Sequence, residues 1–223
     1  MSEHAVEAAR YALLRRLAPA IRHRVVGKLH PIGLIAEALE WQIQEAAPNL
    51  KNLRESIARV GSMSRAAMQS FTTEMTWLTH EDSASVTIAA GIEDCLALLH
   101  TDFELRGFSI KNEAKAPAVR VSMNALRNVL AAVMIAISDS APAPAILVLA
   151  ADVSGTHASI SILIHPAEAV SMFETSDAYR RLEWDDVQVL AAAESVELSR
   201  RGAQVEMRYP IQADVNQSSR AIG

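Results

Sequence analysis

Residues 3–47 form one long break-poor stretch in which Leu14, Leu17, Ile21, Val25, Ile32, Ile35, Leu39 and Ile43 recur three or four positions apart. That is the period of a single helix face, so the spacing predicts one long amphipathic helix. Such a stripe has to be covered by something. Pro48-Asn49 interrupts the pattern, and a second periodic stretch follows through Leu53, Ile57, Val60, Ala67, Phe71 and Leu78, which predicts a helix folding back antiparallel on the first. Two helices cannot cover stripes of this length, and pairing with a second copy into a four-helix bundle is the simplest remedy. A homodimer is therefore expected.

Beyond His80 the pattern shortens, with Glu81-Asp82-Ser83 at the change. The expected elements are a strand at 86–88, a helix at 92–106, a strand at 108–112 and an apolar helix at 122–138 capped by Ser122. Strands at 146–152 and 158–165 flank a Ser154-Gly155 turn and read as a hairpin. A helix at 185–201, ended by Gly202, then precedes a last strand at 204–209. The expected class is α+β. The helical hairpin would take 1–80, an α/β sandwich 81–215, and residues 216–223 a flexible tail.

An apolar content of 50% supports a real core. The longest apolar runs, 125–137 and 143–151, fall short of the roughly 20 residues that cross a bilayer, and no signal peptide opens the chain. A cytoplasmic protein without membrane contact is expected. Cys95 is the single cysteine, which excludes an internal disulfide and a cysteine-built metal site and reads as core. The net charge of −5 argues against nucleic acid, yet residues 1–30 carry six basic against two acidic side chains. A basic N-terminal segment thus precedes an acidic body.

On a helical wheel of about 100° per residue, Leu14, Ile21, Val25, Ile32 and Leu39 fall within about 40° of one another, and His23 lies near 200° from Ile21. His23 is expected to face outward. Arg16, Gly27 and His30 share roughly its direction. His30 is about 10 Å further along the axis, too far for both histidines to hold one metal ion. His4, His80, His100, His157 and His165 belong to no chemical constellation, and Trp41, Trp77 and Trp184 read as packing residues.

Arg22-His23-Arg24-Val25-Val26-Gly27-Lys28-Leu29 resembles the H-box of two-component histidine kinases, in which a phosphoacceptor histidine precedes an acid and, five positions on, a proline. An ungapped continuation puts Ile35-Ala36-Glu37-Ala38-Leu39 on the hydrophobic-A-E-x-L end of that helix. Hairpin followed by sandwich is also the order of the kinase dimerisation and ATP-binding domains. Inside the box Arg24 replaces the acid and Lys28 the proline, while Pro31 deletes the backbone bond to the Gly27 carbonyl. Leu126-Arg127-Asn128-Val129-Leu130-Ala131-Ala132-Val133-Met134-Ile135-Ala136 resembles the N-box, whose two asparagines hold Mg²⁺ and phosphate; here they are Ala132 and Ala136, which offer no oxygen to a hard cation. His165-Pro166-Ala167-Glu168-Ala169 stands where the family has D-x-G-x-G. No glycine lies between Gly155 and Gly202 to form a phosphate-cradling lid.

The resemblance thus implies a histidine kinase-like core, with a degenerate ATPase-type sandwich, that binds no ATP and needs no cofactor. Its implied activity is that of the dimeric histidine phosphotransferases of phosphorelays. His23 would be the phosphoacceptor and response-regulator receiver domains the partners, with Mg²⁺ supplied by the receiver. Arg16, Arg22, Arg24, Gly27, Lys28 and His30 are the expected docking residues. The alternative is a non-catalytic dimeric adaptor that binds receivers or kinases.

Overall fold

The computed structural model describes residues 2–79, 83–115, 118–167 and 180–212. Helix α1 spans Glu3–Ile43 with Pro19 and Pro31 inside it, and ends four residues before the expected 47, in a turn. Asn49 then caps α2, Leu50–Met75, by accepting hydrogen bonds from the Lys51 and Asn52 backbone N–H groups. A side-chain acceptor at this position satisfies otherwise orphaned amides and fixes where the helix begins.

The chain forms two compact units, Ala18–His80 on one side and Met1–Leu17 with Glu81–Gly223 on the other. This partition differs from the expected 1–80 and 81–215, because the first four turns of α1 are part of the sandwich. Ala9, Leu13 and Leu17 are fully buried. Leu13, and not the expected Leu14, carries the core row here, and burial of a leucine contributes about 2 kcal/mol. Ion pairs fasten the same segment: Arg10 reaches Glu194 at 3.2 Å and Arg16 reaches Asp139 at 2.7 Å.

In the sandwich, β1 (Ser85–Thr87) leads directly into α3 (Ile88–Leu105), whose N-cap is Thr87. Ile88, expected in the strand, therefore opens the helix. Strand β2 (Phe108–Asn112) follows, then β3 (Arg120–Ser122) and α4 (Met123–Ser140), capped by Ser122 as its side chain accepts from Ala125 N–H. Strands β4 (Ala145–Ser154) and β5 (His157–Pro166) form the hairpin around Gly155, which holds φ +59°. Helix α5 (Trp184–Ala193) precedes β6 (Glu197–Arg201) and β7 (Gln204–Pro210).

The helix expected at 185–201 thus ends at Ala193. Ser195 turns the chain with φ +57°, and residues 197–201 pair antiparallel with β7. Gly202 supplies the hairpin turn between them with φ +60°, and does not terminate a helix. Left-handed backbone is least costly for glycine.

The sheet order is β2-β4-β5-β7-β6, parallel only between β2 and β4, while β1 and β3 pair separately. Ala145, Leu147, Leu149, Ala158, Ile160, Ile162, Val205, Met207 and Tyr209 alternate onto one buried face, the period-two pattern of a half-covered sheet. Helix α4 is almost wholly buried from Asn124 to Ser138, as its unbroken apolar run 129–137 demands, and its Arg127 is paired with Asp94. Gly91 lets α3 approach it: an added Cβ there would lie 2.7 Å from a Leu126 methyl. The class is α+β as expected, a helical hairpin followed by an α/β sandwich. Residues 216–223 lie outside the described residues.

Candidate functional site

The expected acceptor is on the helical unit. Ile21 is buried on the inner row of α1, and two residues on His23 is exposed, as are its neighbours Arg22, Gly27, Lys28 and His30. A Cβ added at Gly27 would meet nothing within 4 Å, so the surface one turn from His23 is open. Lys28 also borders a groove of about 370 Å³ between α1 and α2, whose walls are mainly Val25, Leu29, Ile32, Met68 and Phe71. The helical unit therefore presents an imidazole with the cation Arg22 next to it and, on the other side of α1, an apolar trough bordered by Lys28.

Two expected docking residues are engaged elsewhere. Arg16 has a side chain only 8% exposed, and its guanidinium binds the Asp139 carboxylate at 2.7 Å. Asp139, itself 3% exposed, also receives Arg106 at 2.7 Å and the Leu182 N–H at 3.2 Å. Arg16 thus helps neutralise a buried carboxylate inside the sandwich unit and is not a surface docking group. The wheel placed it with His23 because angular position alone does not register what a long side chain reaches.

Arg24 turns inward across the hairpin, to Glu74 at 3.0 Å, and the Glu74 side chain is 1% exposed. A carboxylate so deeply buried is costly unless paired. Glu74 and Asp139 are the residues that sequence reasoning missed. Glu74 did leave a signal: in the series Ala67, Phe71, Glu74, Leu78 it falls on the apolar period of α2, where an acid is out of place without a cation opposite.

The N-box positions are closed to metal chemistry by their own composition. Ala132 and Ala136 are buried methyl groups on α4, and the next acid along the helix, Asp139, already accepts from Arg16, Arg106 and Leu182. A hollow of about 230 Å³ beside Ala136 is bordered by Asp139, Arg181, Glu183, Trp184 and Arg200, with the Arg200 guanidinium 5.1 Å from the Trp184 ring centre. Mg²⁺-nucleotide does not fit this donor set. His165 is an exposed β5 residue across from Ile146, and the Ala167 N–H is bound to the Pro144 carbonyl; Glu168 and Ala169, the rest of that expected motif, lie outside the described residues, as does His80. No group of three or more metal-ligating side chains occurs among the described residues.

No family model and no curated protein matches the chain. Solved structures similar to it include a histidine kinase from Burkholderia phymatum STM815, at 12% identity and TM-score 0.44, covering 96% of this chain and 100% of that one. The Erythrobacter litoralis EL346 blue-light activated histidine kinase is 14% identical with TM-score 0.45, over 88% of this chain and 63% of its own. A bacterial phosphotransferase is 10% identical with TM-score 0.42, over 94% and 97%. No helix among the described residues is long and apolar enough to cross a membrane.

Proposed function

We propose that the protein is a dimeric histidine phosphotransferase of a two-component phosphorelay, exchanging a phosphoryl group between His23 and a receiver aspartate. The observation that carries this reading is the exposed His23 in its H-box-like setting, beside the open Gly27 and the cation Arg22, with Lys28 also exposed further along α1. An unprotonated imidazole nitrogen of His23 attacks the phosphorus of the receiver's aspartyl phosphate. The P–N bond forms as the P–O bond to the aspartate breaks, and the carboxylate leaves on the receiver, whose Mg²⁺ balances charge on the transferring group. Arg22 and Lys28 steer the acidic receiver pocket and offset charge as it arrives, modestly because both are solvated.

ATP has no role in this reaction. Calorimetric titration with Mg²⁺-ATP is expected to show no saturable binding, whereas micromolar, Mg²⁺-dependent affinity would contradict this proposal. The direct test is incubation with purified, phosphorylated receivers from the same genome: at least one is expected to lose its phosphoryl group to the protein. Receivers that bind tightly but transfer nothing would favour the adaptor reading, to which the apolar groove beside Lys28 is equally suited.

A further inference from the structure

The helical unit has little buried material near His23. After Ile21 no residue of α1 is buried, and in α2 the buried residues are Ala67 and Glu74. The backbone is also weakened on both sides: Pro19 and Pro31 lie within α1, and each lacks the N–H that would bind the carbonyl four residues earlier, on Arg15 and Gly27. Within one chain, the helix between the two prolines therefore owes its rotational setting less to backbone bonds and core contacts than an ordinary helix does. The fixed link it has is ionic, from Arg24 to the buried carboxylate of Glu74 at 3.0 Å.

We infer that Glu74 is a positioning residue for His23: by holding Arg24 against α2 it sets the rotation of α1 at the adjacent residue. Neighbours on a helix are about 100° apart, so fixing the direction of Arg24 fixes that of His23. The contact is a charge pair and not a hydrogen bond, since neither Glu74 carboxylate oxygen has a donor in hydrogen-bond geometry, and its attraction is strengthened because the carboxylate is away from water. Loss of either partner breaks this link between the two helices, and the rotation of α1 is then less fixed. Arg24 at this place in the H-box thus serves the histidine structurally, through the second helix. The inference rests on the reading of His23 as the acceptor, but the geometry it claims can be observed without any receiver.

The test uses the full chain with ¹³C-labelled histidine, in wild type and in Glu74→Gln, Arg24→Gln and Arg24→Lys. The His23 ring resonance, assigned from His23→Gln, is expected as one signal in wild type and as shifted or multiple signals in Glu74→Gln and Arg24→Gln, while His165 is unmoved. Arg24→Lys keeps the charge and should recover most of the wild-type signal. With a receiver found by the transfer screen, the two Gln variants should transfer about ten- to a hundredfold more slowly at saturation, with KM within about twofold. Should Glu74→Gln fail to fold, Arg24→Gln decides, since Arg24 is partly solvated. An unchanged His23 signal in Arg24→Gln overturns the inference. If that signal moves but no receiver phosphorylates wild type, the positioning role stands and the phosphotransferase reading fails.

Discussion

Single residues in this chain are governed by what surrounds them more than by their type. Cys95 and Tyr209 are both fully buried, and burial raises both groups above their ordinary values of 9.0 and 10.0. For Cys95 the nearby Arg127 works against the rise and Asp94 adds to it; for Tyr209 the Cys95 thiol adds to it. Since the folded state keeps these protons while the unfolded state releases them, stability is complete below about pH 9 and is lost as pH climbs beyond it. The loss reaches about 1.4 kcal/mol per pH unit for each group. Thermal melts between pH 7 and 10.5 should show this alkaline decline, and Cys95→Ala with Tyr209→Phe should flatten it. An equally steep decline in the double variant contradicts the assignment. The glutamate at position 74 teaches the complementary lesson, since its place in the apolar period was visible in the sequence but its partner, fifty residues away, was not.

Elements were legible where the signal is local. The long helix, the break at Pro48-Asn49, the Ser122 cap and the Gly155 hairpin all follow from neighbouring residues, and all are present. The three-residue strand β3 went unseen because it exists through pairing with β1, 35 residues earlier, as in Val86 with Val121. The end of α5 was misplaced because Val187–Leu198 keeps a helix-like apolar spacing, and the switch to strand comes from pairing with β7. The attachment of α1 to the sandwich was equally hidden, since Arg16 and Asp139 are 123 positions apart. Removing Asp139 would leave Arg16 and Arg106 buried without their shared carboxylate. Asp139→Ala is expected to cost about 3–5 kcal/mol, seen as a Tm lowered by roughly 10 °C for a chain of this size. A change within about 1 kcal/mol, the range of a surface pair, would show that the node is not a fastening.

At the scale of the molecule, the apolar stripe read from the sequence is only partly covered within one chain. Val25, Ile32, Ile35 and Leu39 are half-buried, while Trp41, Ile43, Leu50, Ile57 and Met68 are exposed, Trp41 by 77%. Association between copies of the chain would cover such exposed apolar surface. Light scattering at micromolar concentration is expected to return about twice the 24.2 kDa of one chain; a mass near one chain would remove the dimer from the account. The order of hairpin and sandwich was recoverable from periodicity and turn signals, and of the expected site residues His23, Arg22, Gly27, Lys28 and His30 are exposed, as read. The inward turns of Arg16 and Arg24 depend on contacts across the fold.

His23 is the proposed phosphoryl carrier. The most direct measurement is ³¹P NMR of the full chain after exposure to a phosphorylated receiver, compared across wild type, His23→Gln and His30→Gln. Glutamine keeps much of the bulk and hydrogen-bonding capacity of histidine but has no nucleophilic nitrogen, so the fold should persist while the chemistry stops. The expected result is an acid-labile phosphoramidate signal in wild type and His30→Gln and none in His23→Gln. A phosphoramidate signal that survives in His23→Gln, or disappears only in His30→Gln, would contradict the claim.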